Sequence, residues 1–157
     1  MLPKWHMLIG FIFSYILIYF FNFSLLAGVI IFLSSWLFID LDHYFYYIYK
    51  KKDWSFFKFY YSSLKEHEIY RQSSLEERSK APKKLFVFHG IEFWLILIIL
   101  SFFNRIALWI LLGFAIHMLA DWAELFYIKE PFYLKLSQTY THIKNKEKFK
   151  SNSLTNI

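Results

Sequence analysis

The sequence contains no cysteine. Disulfides, zinc–thiolate sites and iron–sulfur clusters are therefore excluded. Charge is also scarce. Asp, Glu, Lys and Arg make up 19% of the chain, against 57% hydrophobic residues, a balance typical of membrane proteins. The shortage is complete from Trp5 to Ile39, where none of the four charged residue types occurs. No nucleic-acid-binding module is recognisable, so the net charge of +6 is assigned to a basic face beside anionic lipid headgroups rather than to DNA or RNA. The length of 157 residues suits one domain.

One membrane-spanning helix takes about 20 apolar residues, roughly 17–25. The uncharged N-terminal run exceeds that and suits two helices, over residues 5–21 and 24–40, with Asn22-Phe23-Ser24 as the turn. A cleaved signal peptide fits poorly, because its apolar stretch would be much shorter. A second apolar block gives helices over 85–103 and 106–124, joined at Asn104-Arg105. The fold class expected is all-α: an integral membrane four-helix bundle of two hairpins, forming a single domain over residues 1–128. Residues 44–84 form an amphipathic cytoplasmic insertion lying along the membrane; Phe56, Phe57, Phe59, Tyr60, Leu64 and Leu75 are its apolar positions and Pro82 closes it. Residues 129–157 form a polar, basic tail, mobile towards its end. With four spans, only Arg105 of the 18 Lys and Arg residues lies on the far side. The positive-inside rule then makes the termini and the insertion cytoplasmic.

The few ionisable residues inside the apolar blocks fall at matching heights. At about 1.5 Å per residue, His6, Asp40, His89 and Asp121 lie some 21–24 Å from their respective far-side turns, and Glu92 and His117 about one turn deeper. Four helices thus deliver imidazoles and carboxylates to adjacent layers, below the edge of a hydrocarbon core about 30 Å thick. Such groups turn inward and find partners, and a bound cation would satisfy them together. His117 and Asp121 are spaced i, i+4; His89 and Glu92, like Asp40 and His43, are spaced i, i+3. Glu124 continues the His117–Asp121 stripe. Mixed imidazole and carboxylate ligands favour zinc, manganese or iron over calcium or magnesium. Simpler readings stay open: His6 beside Trp5 as an interfacial anchor, Asp40 to His43 as a solvated helix end, and His117–Asp121 as a structural hydrogen bond. The tyrosines from Tyr44 to Tyr49 read as an aromatic belt, and His67 and His142 as ordinary surface histidines.

Trp5-His6-Met7-Leu8-Ile9-Gly10, Asp40-Leu41-Asp42-His43, Phe88-His89-Gly90 and His117–Asp121 together resemble the small membrane-bound metal-dependent hydrolases, the family that includes a LexA-binding inner-membrane protein. The ligand order is also distantly similar to that of zinc-dependent phospholipase C. The likeness covers roughly residues 5–43 and 86–124. It departs at Phe38-Ile39, where the family has a proline, and at Glu92, where a threonine is expected.

The resemblance implies a metal-dependent hydrolase at the cytoplasmic membrane face, acting on a phosphoester or lipid-like substrate. Asp40, His43, His89, His117 and Asp121 are the expected metal ligands, with His6 and Asp42 as further ligands or their supports. Zinc is the first expectation for the metal. Glu92 or Glu124 is the expected general base, and lysines of the insertion would hold a phosphate. The alternatives are a non-catalytic membrane scaffold, whose polar cluster only ties helices together, and a haem protein using His6, His43, His89 and His117.

Overall fold

Helix α1 (Pro3–Phe21) begins on proline, whose fixed φ suits a first helical turn. It ends where Asn22 adopts φ 53°, a left-handed conformation that asparagine tolerates. Ser24 then caps α2 (Leu25–Leu33), its hydroxyl accepting from the Ala27 amide at 3.2 Å. The computed structural model describes residues 3–154 and is all-α. The expectation of a mobile chain end bears on residues 155–157, which lie outside that range.

α2 continues through a π-helical turn, Ser34–Phe38, and past Asp40 into α3 (Leu41–Lys51). This rod is longer than the expected 24–40 and carries the tyrosine cluster on its last turns. Lys52, at φ 54°, ends it. Ser55 caps α4 (Phe56–Gln72), while Asp53 accepts from the Ser55 amide and from Lys58. The amphipathic stretch breaks at Ser73-Ser74. There the Ser73 hydroxyl bonds the Ile69 carbonyl, and Ser74 opens α5 (Leu75–Lys80) in a reciprocal capping box with Glu77.

A helix expected over 85–103 is helical only as α6 (Ile91–Ser101), after a short 3-10 turn at Val87–His89. Side chains take the amides that a longer helix would use. Gln138 Oε1 accepts from Phe86 N at 2.8 Å and Asp42 Oδ2 from Phe88 N at 2.9 Å. At 11 residues, α6 rises roughly 16 Å. Asn104 caps α7 (Arg105–Tyr127) through its side chain. Among the described residues, three helices are long and apolar enough to cross a membrane: 4–21, 25–51 and 105–127. The fourth apolar helix, α6, falls short of that length.

The polar C-terminal segment is also helical, as α8 (Tyr133–Leu136) and α9 (Gln138–Leu154). Gln138 and Asn145 lie two turns apart on α9. They hydrogen-bond the backbone at Phe86 and at Lys83, holding the extended segment that leads to His89. Buried Glu130 accepts from Lys83 and lies 3.7 Å from the Arg78 guanidinium, with both cations over the Tyr70 ring. Burial, reinforced by Glu130, raises the Tyr70 phenol above its ordinary range.

α7 is the central post, packed on α1, α2, the π turn and α6. Ile39, Leu97, Ala107, Phe114 and Met118 form the apolar core. Two glycines bring three backbones together at Ser35. A Cβ on Gly113 would lie 2.5 Å from the Ile31 carbonyl oxygen, and one on Gly10 would strike the Ser35 hydroxyl. The outer surface is strongly apolar; Phe102 and Phe103, at the α6–α7 turn, are 81% and 85% exposed. Gly113→Ala must displace backbone, so it should destabilise the protein by about 1–3 kcal/mol. The thermal midpoint in detergent should fall; an unchanged midpoint would contradict the close approach.

Candidate metal centre

The π turn sets the geometry of the site. A π turn shifts the hydrogen-bond register of a helix and is frequent where function needs a displaced backbone group. Here the Ser35 carbonyl accepts a hydrogen bond from His117 Nδ1 at 2.9 Å. A carbonyl can only accept, so Nδ1 carries a proton and the ring turns Nε2 to the bundle interior. That Nε2 lies 3.2 Å from Asp121 Oδ2 and 3.7 Å from Asp40 Oδ1. The spacing of four residues on α7 places His117 and Asp121 on one face.

His89 is oriented in a similar way. Its Nδ1 lies 3.4 Å from Asp42 Oδ2, and the same oxygen accepts from Phe88 N. Its Nε2 lies 3.5 Å from Asp40 Oδ1 and 3.7 Å from Asp121 Oδ2. His43 stacks on Phe86, with ring centroids 3.6 Å apart, and turns Nε2 to within 3.6 Å of Asp40 Oδ1. His6 stacks on His117 at 3.9 Å and meets Asp121 Oδ1 at 3.4 Å. The sequence-expected ligands His6, Asp40, Asp42, His43, His89, His117 and Asp121 are therefore brought together from α1, the start of α3 and the turn before it, the 3-10 turn and α7.

Two triads within this cluster could hold a metal ion: His6, His117 and Asp121, fully buried, and Asp40, His43 and His89, partly open. The donor set is right for an ion. Nε2 of His43, His89 and His117 is buried without a hydrogen-bond partner. An unmet buried polar atom costs about 1–3 kcal/mol, so three aimed at shared carboxylates call for a common partner. Spacing fits as well. Tetrahedral bonds of about 2.0–2.1 Å place neighbouring ligand atoms about 3.3 Å apart; the imidazole-to-carboxylate distances here run from 3.2 to 3.9 Å, and the ligand atoms of each triad lie within 4.8 Å of one another.

Glu92 and Glu124 do not join the cluster. Glu92 Oε1 accepts from the Ser137 hydroxyl at 2.7 Å and from Thr139 N at 3.0 Å, and Oε2 from Gln138 N at 3.3 Å. It clasps the start of α9. Glu124, one turn beyond Asp121, pairs with His67 Nε2 at 3.1 Å, so His67 has a partner across the fold and is not an ordinary surface residue.

Lys135 is the site residue that sequence reasoning missed. Its Nζ lies 2.7 Å from Asp121 Oδ2. Burial opposes its charge, but Asp121 outweighs burial and holds the ammonium above its ordinary range. Nothing in the sequence separates Lys135 from the other lysines of its segment. It reaches the site because Glu92 and Thr141 both hold Ser137, two residues further on. Ser35 did carry a signal, as one of two adjacent hydroxyls within an apolar run.

No protein-family model, curated protein or solved structure matches the chain. The likeness to membrane-bound metal-dependent hydrolases rests on the short motifs alone.

Glu92→Ala should free the start of α9 while leaving the α1–α7 core folded. Hydrogen exchange at 137–141 should accelerate, consistent with a loss of roughly 1–3 kcal/mol for hydrogen bonds to a charged acceptor. Unchanged protection there would contradict the clasp.

Proposed function

We propose that the protein is a membrane-bound metal-dependent hydrolase related to the family its motifs resemble, working on phosphate esters at the cytoplasmic membrane face. The observation that carries the reading is the set of three buried, unpartnered Nε2 atoms converging on Asp40 and Asp121. Asp40, His43, His89, His117 and Asp121 hold the ion, with zinc the first choice for this donor set. His6 supports Asp121, and Asp42 orients His89.

When bound, such an ion lowers the pKa of its water to about 7 and polarises the scissile group. The chain's own residues supply the rest. The Ser35 carbonyl and Asp42 fix the faces of His117 and His89. Lys135 offers positive charge beside Asp121, where an anionic substrate gains from it. Glu92 and Glu124 are engaged elsewhere; the carboxylate oxygen of the cluster buried without a hydrogen bond is Asp42 Oδ1, 3.9 Å from His43 Nε2. His43 and Asp40, each about a quarter exposed, form the open side of the cluster.

The scaffold reading has one observation in its favour: Lys135 already supplies a cation to Asp121. It leaves the three imidazole nitrogens unexplained. The haem reading fits less well, because carboxylates lie between the imidazoles and His6 and His117 are stacked on one another.

Elemental analysis of detergent-purified protein should find about one or two equivalents of zinc, manganese or iron, lost in His117→Ala/Asp121→Ala. Asp121→Asn should lower phosphoesterase turnover by about a hundredfold or more, the scale of losing a principal electrostatic element of an active site. Absence of metal after reconstitution would leave the scaffold reading in place. Orientation is tested separately, since the chain has no cysteine to interfere with labelling. Ser101→Cys should react with an impermeant maleimide on intact cells and Asp53→Cys only after lysis; the reverse pattern would contradict a cytoplasmic site.

A further inference from the structure

Beside the open side of the metal centre, α3, α4 and the extended segment before His89 enclose a cleft of about 150 Å³. It reaches His43, the partly exposed histidine of the cluster. Half-buried Tyr46 and Phe86 wall it, and Phe86 is the ring on which His43 stacks. Exposed Lys50, Lys51 and Lys84 line its outer part. The single carboxylate of the lining, Glu66, already pairs with Lys84.

We propose that this cleft binds the phosphate group of an amphiphilic phosphate ester, with the lysines on the phosphate and the ester directed towards His43 and Asp40. The inference rests on the hydrolase reading of the adjoining centre and gives it a substrate class. Three ammonium groups against one carboxylate complement a doubly charged phosphate, for which lysine serves as a point-charge binder. The aromatic walls suit the carbon adjoining the phosphate. The same hairpin says where that carbon comes from. Tyr49, Trp54 and Phe57 are 75%, 74% and 76% exposed around the α3–α4 connection. Aromatic residues so displayed beside a lysine run are characteristic of the membrane–water interface. The cleft thus opens at headgroup depth, and its ligand enters from the lipid layer.

The test titrates zinc-loaded, detergent-solubilised full-length protein with a short-chain phosphatidic acid and, separately, with inorganic phosphate, followed by phosphorus NMR. Zinc content is measured on the same samples. Wild type should bind the phosphatidate. Lys50→Gln/Lys51→Gln/Lys84→Gln should bind it more weakly by about tenfold or more, with unchanged zinc content and thermal midpoint. Equal affinity for inorganic phosphate would keep phosphate recognition and overturn the lipid source. Zinc retained with no binding of either probe, or binding indifferent to the lysines, would overturn the cleft and leave the metal centre standing. Lysine-dependent binding without bound zinc would do the opposite.

Discussion

Imidazole nitrogens with no hydrogen-bond partner, closed inside an apolar helical protein, are the constraint on which this architecture turns. His89, His117 and Asp121 are each 1% exposed. Groups of this kind are tolerated away from water only when they are paired or bound to a cation. Each proton-bearing Nδ1 of His117 and His89 already has an acceptor, Ser35 and Asp42 respectively. On these two rings the Nε2 side is left without a hydrogen bond, and that side faces two carboxylates. A merely structural polar knot would be expected to close its hydrogen bonds within itself. This one leaves three Nε2 atoms without a hydrogen bond, turned towards the same two carboxylates.

The irregular features of the fold serve that cluster. The π turn presents a carbonyl to His117, and Asp40, Asp42 and His43 follow it at the turn that leads into α3. Gly113 and Gly10 let α7 and α1 approach Ser35 closely enough for His6 and His117 to stack. The segment before α6 gives up helix so that His89 can reach the same place, and α9 supplies the hydrogen bonds that the lost helix would have made. Glu92 then anchors α9, and Lys135 is carried to Asp121. Helices of the apolar body provide most of the site, and the C-terminal segment adds Lys135 to it.

Much of this was legible in the sequence because hydropathy and helical spacing are local signals. The turns at Asn22 and Asn104 follow from caps, and the meeting of His117 with Asp121 follows from an i, i+4 spacing. The meeting of His6 with Asp121 matches their equal heights on α1 and α7, whereas His89 arrives from a 3-10 turn and not from the helix on which its height was counted. The expectations went astray where side chains replaced backbone partners. Residues 85–90 are apolar enough for a helix, yet Gln138 and Asp42, distant in sequence, take their amides. Glu92 matched the site in depth but not in direction, since its partners Ser137 to Thr139 belong to a segment read as a polar tail. Lys135 had no local mark at all, because its position depends on that same long-range clasp.

The central claim is that the cluster is a metal site built from imidazole and carboxylate ligands. X-ray absorption at the zinc edge of the reconstituted protein tests it most directly. The account predicts nitrogen and oxygen neighbours at about 2.0–2.2 Å, with the outer scattering of two or more imidazole rings, and loss of that imidazole signature in His117→Ala/His89→Ala. A spectrum of oxygen neighbours alone, unchanged in the variant, would contradict it.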